Sequence, residues 1–394
     1  DPMPGARVYL AASAPPPRPD VVRCELCGSA DQVPVLASTF SGTDGSFTLD
    51  LPPAAADAQL YVEKGRFRRR VPFSPSTSAT ASACGAIAVD PRLSRLPRSR
   101  AEGELPRIAV GVGDYDAIEC VLRHLGLAPE EFTAPSGTGA VHLYDNSARR
   151  GGAPAPVVPL LTLLRDRDAL FRYALLLINC TETTPLSAIL ADAQAVANLH
   201  DYVQAGGRVY LSDWAYNLLV QDQRFAPYVC FDDNQSCIAA PQFQGAARCL
   251  PADFSGFVPQ NLSLQQAEVA VLQDFLQQAV FKLPSGQVPI SMPLSNWALL
   301  RQAGADTRYP ALTWLRGRTN GAERPLTVSF DYPTDRAGGC GRVLYTSPHT
   351  RERPSNPDPS QLTFPGYCPS GIVPQERVLE YMLFAVAACL PTPG

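Results

Sequence analysis

The sequence predicts an α/β fold, a parallel sheet between helices, preceded by a small all-β unit. Three observations carry this. Continuous apolar runs, RIAVGVG (107–113) and YALLLINC (173–180), read as strands buried on both faces. Segments of helical period with cap and stop signals lie between such runs. Before residue 95 the pattern is different, with short alternating runs and tight-turn dipeptides but no helix.

Residues 1–95 are expected to be all-β. GARVYLAA alternates and leads into a proline-rich loop, APPPRPD. SGTDGSFTLDLP reads as a hairpin turning at Asp44-Gly45, with Phe47 and Leu49 on one face. AQLYVEKGRFRRRVPF reads as a second hairpin, turning at Lys64-Gly65. Its FRRRV arm is expected to be a solvated strand with the arginines outward, and SPSTSATASA (74–83) a polar loop. A polar linker follows, taken as 96–106 within LSRLPRSRAEGELP.

The α/β unit, 107–394, opens with RIAVGVG. DYDAIECVLRHLG is a helix with Asp114 or Asp116 as its cap, Ile118, Val121, Leu122 and Leu125 inward, and Gly126 at its end. VHLYD and YALLLINC are strands. ADAQAVANLHDYVQAGG is a helix stopped by Gly206, and VYLSDW is the next strand. TVSFDYP and GRVLYTS pair as a late hairpin, and ERVLEYMLFAVAACL closes as a buried helix. The segment at about 217–312, with a cysteine-rich loop and the amphipathic LSLQQAEVAVLQDFLQQAV, reads as an insertion on the rim of the sheet.

Composition limits the function classes. A formal charge of -4 and a pI near 5.7 give no basis for nucleic acid or an anionic membrane as partner. No apolar run approaches the ~18–20 residues of a transmembrane span. The chain opens at Asp1 and soon enters a strand, as a processed N-terminus would. Eleven cysteines in 394 residues, mostly in loops or at element ends, point to bridges made outside the cytosol. The candidates are Cys24, Cys27, Cys84, Cys120, Cys180, Cys230, Cys237, Cys249, Cys340 and Cys368; their pairing is open. Cys24-x-x-Cys27 lacks the second pair that a zinc site needs, so no metal or other cofactor is expected.

Two resemblances rest on these residues. TDGSF followed by the VEKG hairpin with its aromatic and arginines resembles the carboxypeptidase regulatory-like, or transthyretin-like, β-sandwich over 1–95. Such modules are accessories of extracellular proteins. The order RIAVGVG, LLLINC, YVQAGGRVYLSDWA and GRVLYTSPH resembles the class I glutamine amidotransferase-like fold, in its trehalose-utilisation-like branch, over about 104–394. That resemblance implies a flavodoxin-like sheet, a cysteine nucleophile at a tight elbow and a histidine on a late strand. The histidine position matches His349. The elbow Gly-x-Cys-x-Gly is absent, and Ser212-Asp213 stands in its place.

Ligands of open parallel sheets bind beyond the carboxyl ends of the strands. Those ends carry Gly111, Gly113, Asp114, Asp116, Cys180, Glu182, Ser212, Asp213, Trp214 and His349. Gly111-x-Gly113 is a phosphate cradle or a tight turn. Asp114 and Asp116 are a ligand pair or helix caps. A hydrolase would use Ser212 as nucleophile, His349 as base, and Asp213 or Glu182 to orient it. His124, His142 and His200 point elsewhere. Phe231-Asp232-Asp233-Asn234 lacks calcium-loop spacing. Trp214, Trp297 and Trp314 form either core or a sugar-stacking surface. The expected function is that of a secreted or cell-surface structural or binding protein, part of an extracellular assembly. Its amidotransferase-like domain has lost the nucleophile, and its partners are other protein chains, copies of itself included, or a surface glycan. The alternative is an extracellular hydrolase.

Overall fold

The computed structural model describes residues 2–25, 33–52, 58–72, 86–149, 151–231, 255–257, 267–278, 287–290, 298–319, 322–334, 340–350 and 358–387. Four strands, β1 (Arg7–Ala11), β2 (Val35–Phe40), β3 (Gln59–Lys64) and β4 (Phe67–Val71), make a separate antiparallel sheet in the order β2-β1-β3-β4. The pleat sends Val8, Leu10, Leu60, Val62 and Val71 to one apolar cluster, with Phe47 and Leu49 against it, while Tyr9, Ala11 and Tyr61 share the other face. The β3–β4 hairpin turns at Gly65, whose φ of 56° lies in the left-handed region.

Two expectations for this region are corrected. The Asp44-Gly45 turn forms, with Gly42 N–H donating to Ser46 O, but no hairpin flanks it. The neighbour of β1 on that side is β2, which precedes the turn, so residues 46–50 run on without strand pairing and pack through their side chains. The arginines of FRRRV do not all face water. Arg68 and Arg69 are buried and only Arg70 is exposed. The 93–106 segment covers β4: Arg68 and Glu104 exchange backbone hydrogen bonds, and the Arg68 guanidinium meets the Glu104 carboxylate at 2.5 Å and Pro16 O at 2.7 Å.

The remaining strands and helices in chain order are β5 (Ile108–Val112), α1 (Ile118–His124), β6 (Phe132–Thr133), β7 (Val141–Asp145), α2 (Leu160–Arg165), α3 (Arg167–Leu170), β8 (Leu175–Ile178), α4 (Thr183–Leu190), α5 (Ala193–Gln204), β9 (Arg208–Ser212), α6 (Asn217–Val220), β10 (Val229–Phe231), β11 (Ser255–Phe257), α7 (Ala267–Leu276), β12 (Gln287–Pro289), β13 (Leu300–Ala303), β14 (Leu312–Thr319), β15 (Ala322–Tyr332), β16 (Gly341–Thr346) and α8 (Pro374–Ala387). Six parallel strands, β6-β7-β5-β8-β9-β16, continue into four antiparallel ones, β15-β14-β11-β12. Apart from the two-residue edge strand β6, the parallel part has the 2-1-3-4-5 order of a flavodoxin-like sheet. β5, β8, β9 and β16 are buried along their whole length, because helices cover both faces. Ile108, Val110 and Val112 join α1, α7 and α8 in one core, while Ala109 joins α2 to α6 in the other.

The small sheet rests directly on the α/β body. Phe67 packs on Phe384 of α8 at 5.2 Å between ring centroids. Cys24–Cys340 ties the N-terminal segment to the start of β16, and Cys120–Cys368 ties α1 to the segment before α8. Cys230 is also disulfide-bonded. Cys180, expected to be bridged, is a free buried thiol: the groups that converge on it are a carboxylate and an imidazole. Cys27, Cys84, Cys237 and Cys249 lie outside the described residues. The cap expected for α1 is also corrected. Ala117 is its N-cap and has no capping side chain; Asn179 Oδ1 accepts the Ile118 N–H at 3.3 Å, while Asp114 and Asp116 also bind other loops. Among the described residues no helix is long and apolar enough to cross a membrane.

Candidate functional site at the strand ends

Parallel neighbours β8, β9 and β16 end level with one another: Ile178 is opposite Leu211, and Thr346 opposite Ser212. The chain continues from each end into Cys180, Asp213 and His349. That register is why residues separated by up to 169 positions meet. The Sγ, carboxylate and imidazole atoms all lie within 4.8 Å of one another.

Asp213 is the centre. Its Oδ2 accepts from His349 Nε2 at 3.0 Å and from Cys180 Sγ at 3.3 Å, and its Oδ1 accepts from Ala298 N–H at 2.5 Å. Its φ is 42°, the one left-handed non-glycine residue among those described. An aspartate tolerates this conformation better than most residues, yet the strain is real, of order 1 kcal/mol or more. Ser212 before it is ordinary extended backbone, with φ -115° and ψ 140°. The sharp turn that the resemblance places at Ser212-Asp213 therefore falls on Asp213, and it closes without a flanking glycine.

Ser212 is spent on the framework. Its hydroxyl accepts Cys180 N–H at 2.8 Å and makes no hydrogen bond to His349. Glu182 turns away, to the Tyr115 hydroxyl and to Arg149 Nε at 3.3 Å. Of the hydrolase arrangement, the pairing of His349 with Asp213 is present, whereas Ser212 and Glu182 are bonded elsewhere. Cys180 is not a ready nucleophile either. Burial, then the Asp213 charge, pushes its thiol well above the ordinary range, although the Trp214 backbone N–H is aimed at the sulfur.

Asp116 Oδ1 accepts from Ala117 N–H, Thr350 N–H and the Thr350 hydroxyl, holding the segment after His349 against the start of α1. Its Oδ2 is buried with no hydrogen-bond partner. Asp114 accepts from Ala148 N–H, Arg149 N–H and the Thr181 hydroxyl, knitting two loops together. The Gly111 and Gly113 positions are packing requirements. A Cβ on Gly113 would stand 2.2 Å from Cys180 O, and one on Gly111 would stand 2.7 Å from Leu160 Cδ2.

The whole cluster is closed. Cys180, Asp213 and His349 are each 2% exposed or less. The cavity against His349, lined also by Thr346, Thr350, Gln375 and Met382, holds about 20 Å³, room for one water. A larger apolar cavity of about 280 Å³ lies between the small sheet and the α/β body, among Met3, Val8, Phe47, Leu125 and Phe384. It touches Ile108 and Leu175, the first residues of β5 and β8, so it sits at the opposite end of the strands from the cluster. The chemistry is at one end and the space is at the other.

The other candidates are core or framework. Trp314 is fully buried with Nε1–H on Ser329 Oγ at 2.8 Å, Trp214 packs partly buried on the second core, and Trp297 lies outside the described residues. His142 and His200 bond Tyr173 and Tyr332, and His124 bonds Pro369 O. Residues 232–234 are not described. Sequence reading places Cys180, Asp213 and His349 at strand ends and offers Asp213 as a partner of His349, but misses that Cys180 joins them on the same carboxylate. The signal was there: Asp213 directly follows β9, Cys180 stands just past the end of β8 and His349 just past the end of β16, all strands of the parallel set.

No family model matches the chain, and no curated protein matches it. Among solved structures it is similar to a ThuA-like protein from Parabacteroides merdae, at 14% identity over 73% of this chain and 91% of that one, with a TM-score of 0.36. It is also similar to a cytoplasmic protein from Salmonella typhimurium, at 12% identity over 72% of this chain and 98% of that one, with a TM-score of 0.34.

Proposed function

We propose that the chain is a secreted or cell-surface structural or binding protein. Its first unit serves as a transthyretin-like sandwich, and its α/β unit is an amidotransferase-like domain without a nucleophile. The observation that carries this is Asp213. A carboxylate, already engaged by His349, Cys180 and Ala298 N–H, stands at the strained turn where the resemblance calls for a reactive cysteine. The bridges support an oxidising compartment, since Cys24–Cys340 and Cys120–Cys368 join segments 316 and 248 residues apart. β2 supports a role in assembly. It is an edge strand of the small sheet, and its Phe40 is 65% exposed, the kind of edge on which another chain can add a strand.

Thiol titration tests the compartment. Denatured protein isolated without reductant is expected to show far fewer than its eleven thiols, and all eleven after reduction. Eleven free thiols in the unreduced protein would remove this support. For the assembly role, Ser38→Pro in β2 deletes a backbone donor that faces away from β1, on that free edge. The variant should lower self-association or partner capture in sedimentation. Unchanged association would place the contact elsewhere.

A further inference from the structure

We propose that Cys180, Asp213 and His349 form a transition-metal site of the zinc class, in which the ion fastens the ends of β8, β9 and β16. The inference does not depend on the proposed function and can fail without it.

The donor set is one thiolate, one imidazole and one carboxylate, the ligand types that zinc takes. Zinc bonds of about 2.0–2.3 Å in a tetrahedron put neighbouring donor atoms about 3.3–3.6 Å apart. Here Oδ2 stands 3.3 Å from Sγ and 3.0 Å from Nε2, and the whole set lies within 4.8 Å. Small side-chain shifts suffice to bring the three around an ion.

The surroundings match what a metal needs. Ala298 N–H fixes the Asp213 carboxylate through Oδ1, leaving Oδ2 for the site. Ser212 Oγ accepts from the Cys180 backbone N–H at 2.8 Å and so fixes the strand end that carries the sulfur. Charge makes a second, independent case. Asp213 and Asp116 are both 1% exposed or less, among the described residues neither meets an arginine or lysine and the basic group on Asp213 is the His349 ring, and Asp116 Oδ2 has no hydrogen-bond partner. Asp116 lies close enough for its charge to act on Cys180. Buried carboxylates beside a sulfur cost several kcal/mol each unless a cation compensates them. A divalent ion at Oδ2 supplies that charge.

On binding, the thiol loses its proton to solvent. Nε2 also gives up its proton, either to solvent or, from the neutral ring, by a shift to the Nδ1–H tautomer. Both then donate lone pairs to the ion. The fourth position of a tetrahedron is left to a solvent oxygen. The cavity of about 20 Å³ against His349 has room for that one oxygen.

The test uses the full chain prepared with zinc and dialysed against metal-free buffer. Elemental analysis should find about one zinc per chain, and cobalt substitution should give a thiolate-to-cobalt charge-transfer band with tetrahedral d–d intensity. Cys180→Ser should abolish that band and weaken zinc binding more than about 100-fold, and His349→Gln should weaken it similarly. Folding of both variants is checked by circular dichroism. Wild-type protein that retains no stoichiometric zinc or cobalt would overturn the site, as would undiminished retention in the folded variants. If the variants do not fold, X-ray absorption on wild-type zinc protein decides. One sulfur near ~2.3 Å with nitrogen and oxygen near ~2.0–2.2 Å supports the site; a shell without sulfur, or with several, overturns it.

Discussion

Removing the Cys120–Cys368 bridge isolates one long-range constraint. The perturbation is the double change Cys120→Ser with Cys368→Ser, which avoids a lone reactive thiol. The bridge joins residues 248 apart, and it fastens α1, under the first core, to the segment that leads into α8. Chain entropy for so long a loop gives a ceiling of about 5–6 kcal/mol. Removal of natural bridges costs about 2–5 kcal/mol, and the second bridge, Cys24–Cys340, already restricts the unfolded chain, so the lower part of the range applies. Unfolding entropy for 394 residues is about 0.8 kcal/mol per degree, so the lower part of that range, about 2–3 kcal/mol, corresponds to a fall in Tm of about 2–4 °C. Differential scanning calorimetry of the unreduced proteins measures it. The reasoning is refuted if Tm falls by less than about 1 °C, or if mapping of wild-type peptides finds Cys120 and Cys368 unlinked.

Three further outcomes follow from single residues. Both Asp213→Ala and Asp213→Gly lose the carboxylate that holds Cys180, His349 and Ala298, costing about 2–5 kcal/mol, but the glycine variant should be the equal of the alanine or better. At φ 42° a Cβ is penalised, reversing the usual disadvantage of glycine of ~0.5–1 kcal/mol; urea melts with glycine clearly the worse would contradict the strained turn. Gly341→Ala sets a Cβ 1.9 Å from Val203 O, at the contact of β16 with α5, and should cost about 3 kcal/mol or more by the same assay, whereas a loss under ~1 kcal/mol would mean that the two elements separate readily. The Glu102 carboxyl is held down to about 2, first by its hydrogen bonds with Arg95. Its folded pKa is depressed, so its stabilisation is present above the ordinary value near 4.5 and fades as pH falls toward 2. Glu102→Gln should therefore be less stable than wild type near neutral pH and level with it near pH 2; a constant gap across that range would dismiss the Arg95 pairing as the source.

What was legible in the sequence was whatever depends on local period. RIAVGVG, YALLLINC and RVYLS are apolar without interruption, and strands of that kind fit only between two layers of helices. The helix stop at Gly206 and the turn at Gly65 follow from residues that tolerate positive φ. Register and long-range pairing were not legible, because nothing local encodes them. β2 won the edge of β1 from the hairpin expected after it, and the 93–106 segment turned FRRRV into a buried strand by bringing Glu104 to Arg68. The candidate site divides in the same way. By itself the sequence determined that Cys180, Asp213 and His349 follow strands and that no elbow cysteine stands between Gly207 and Trp214. Only the tertiary structure decided that parallel strands ending level would set one carboxylate between a thiol and an imidazole, because that depends on which strands are neighbours and in what register.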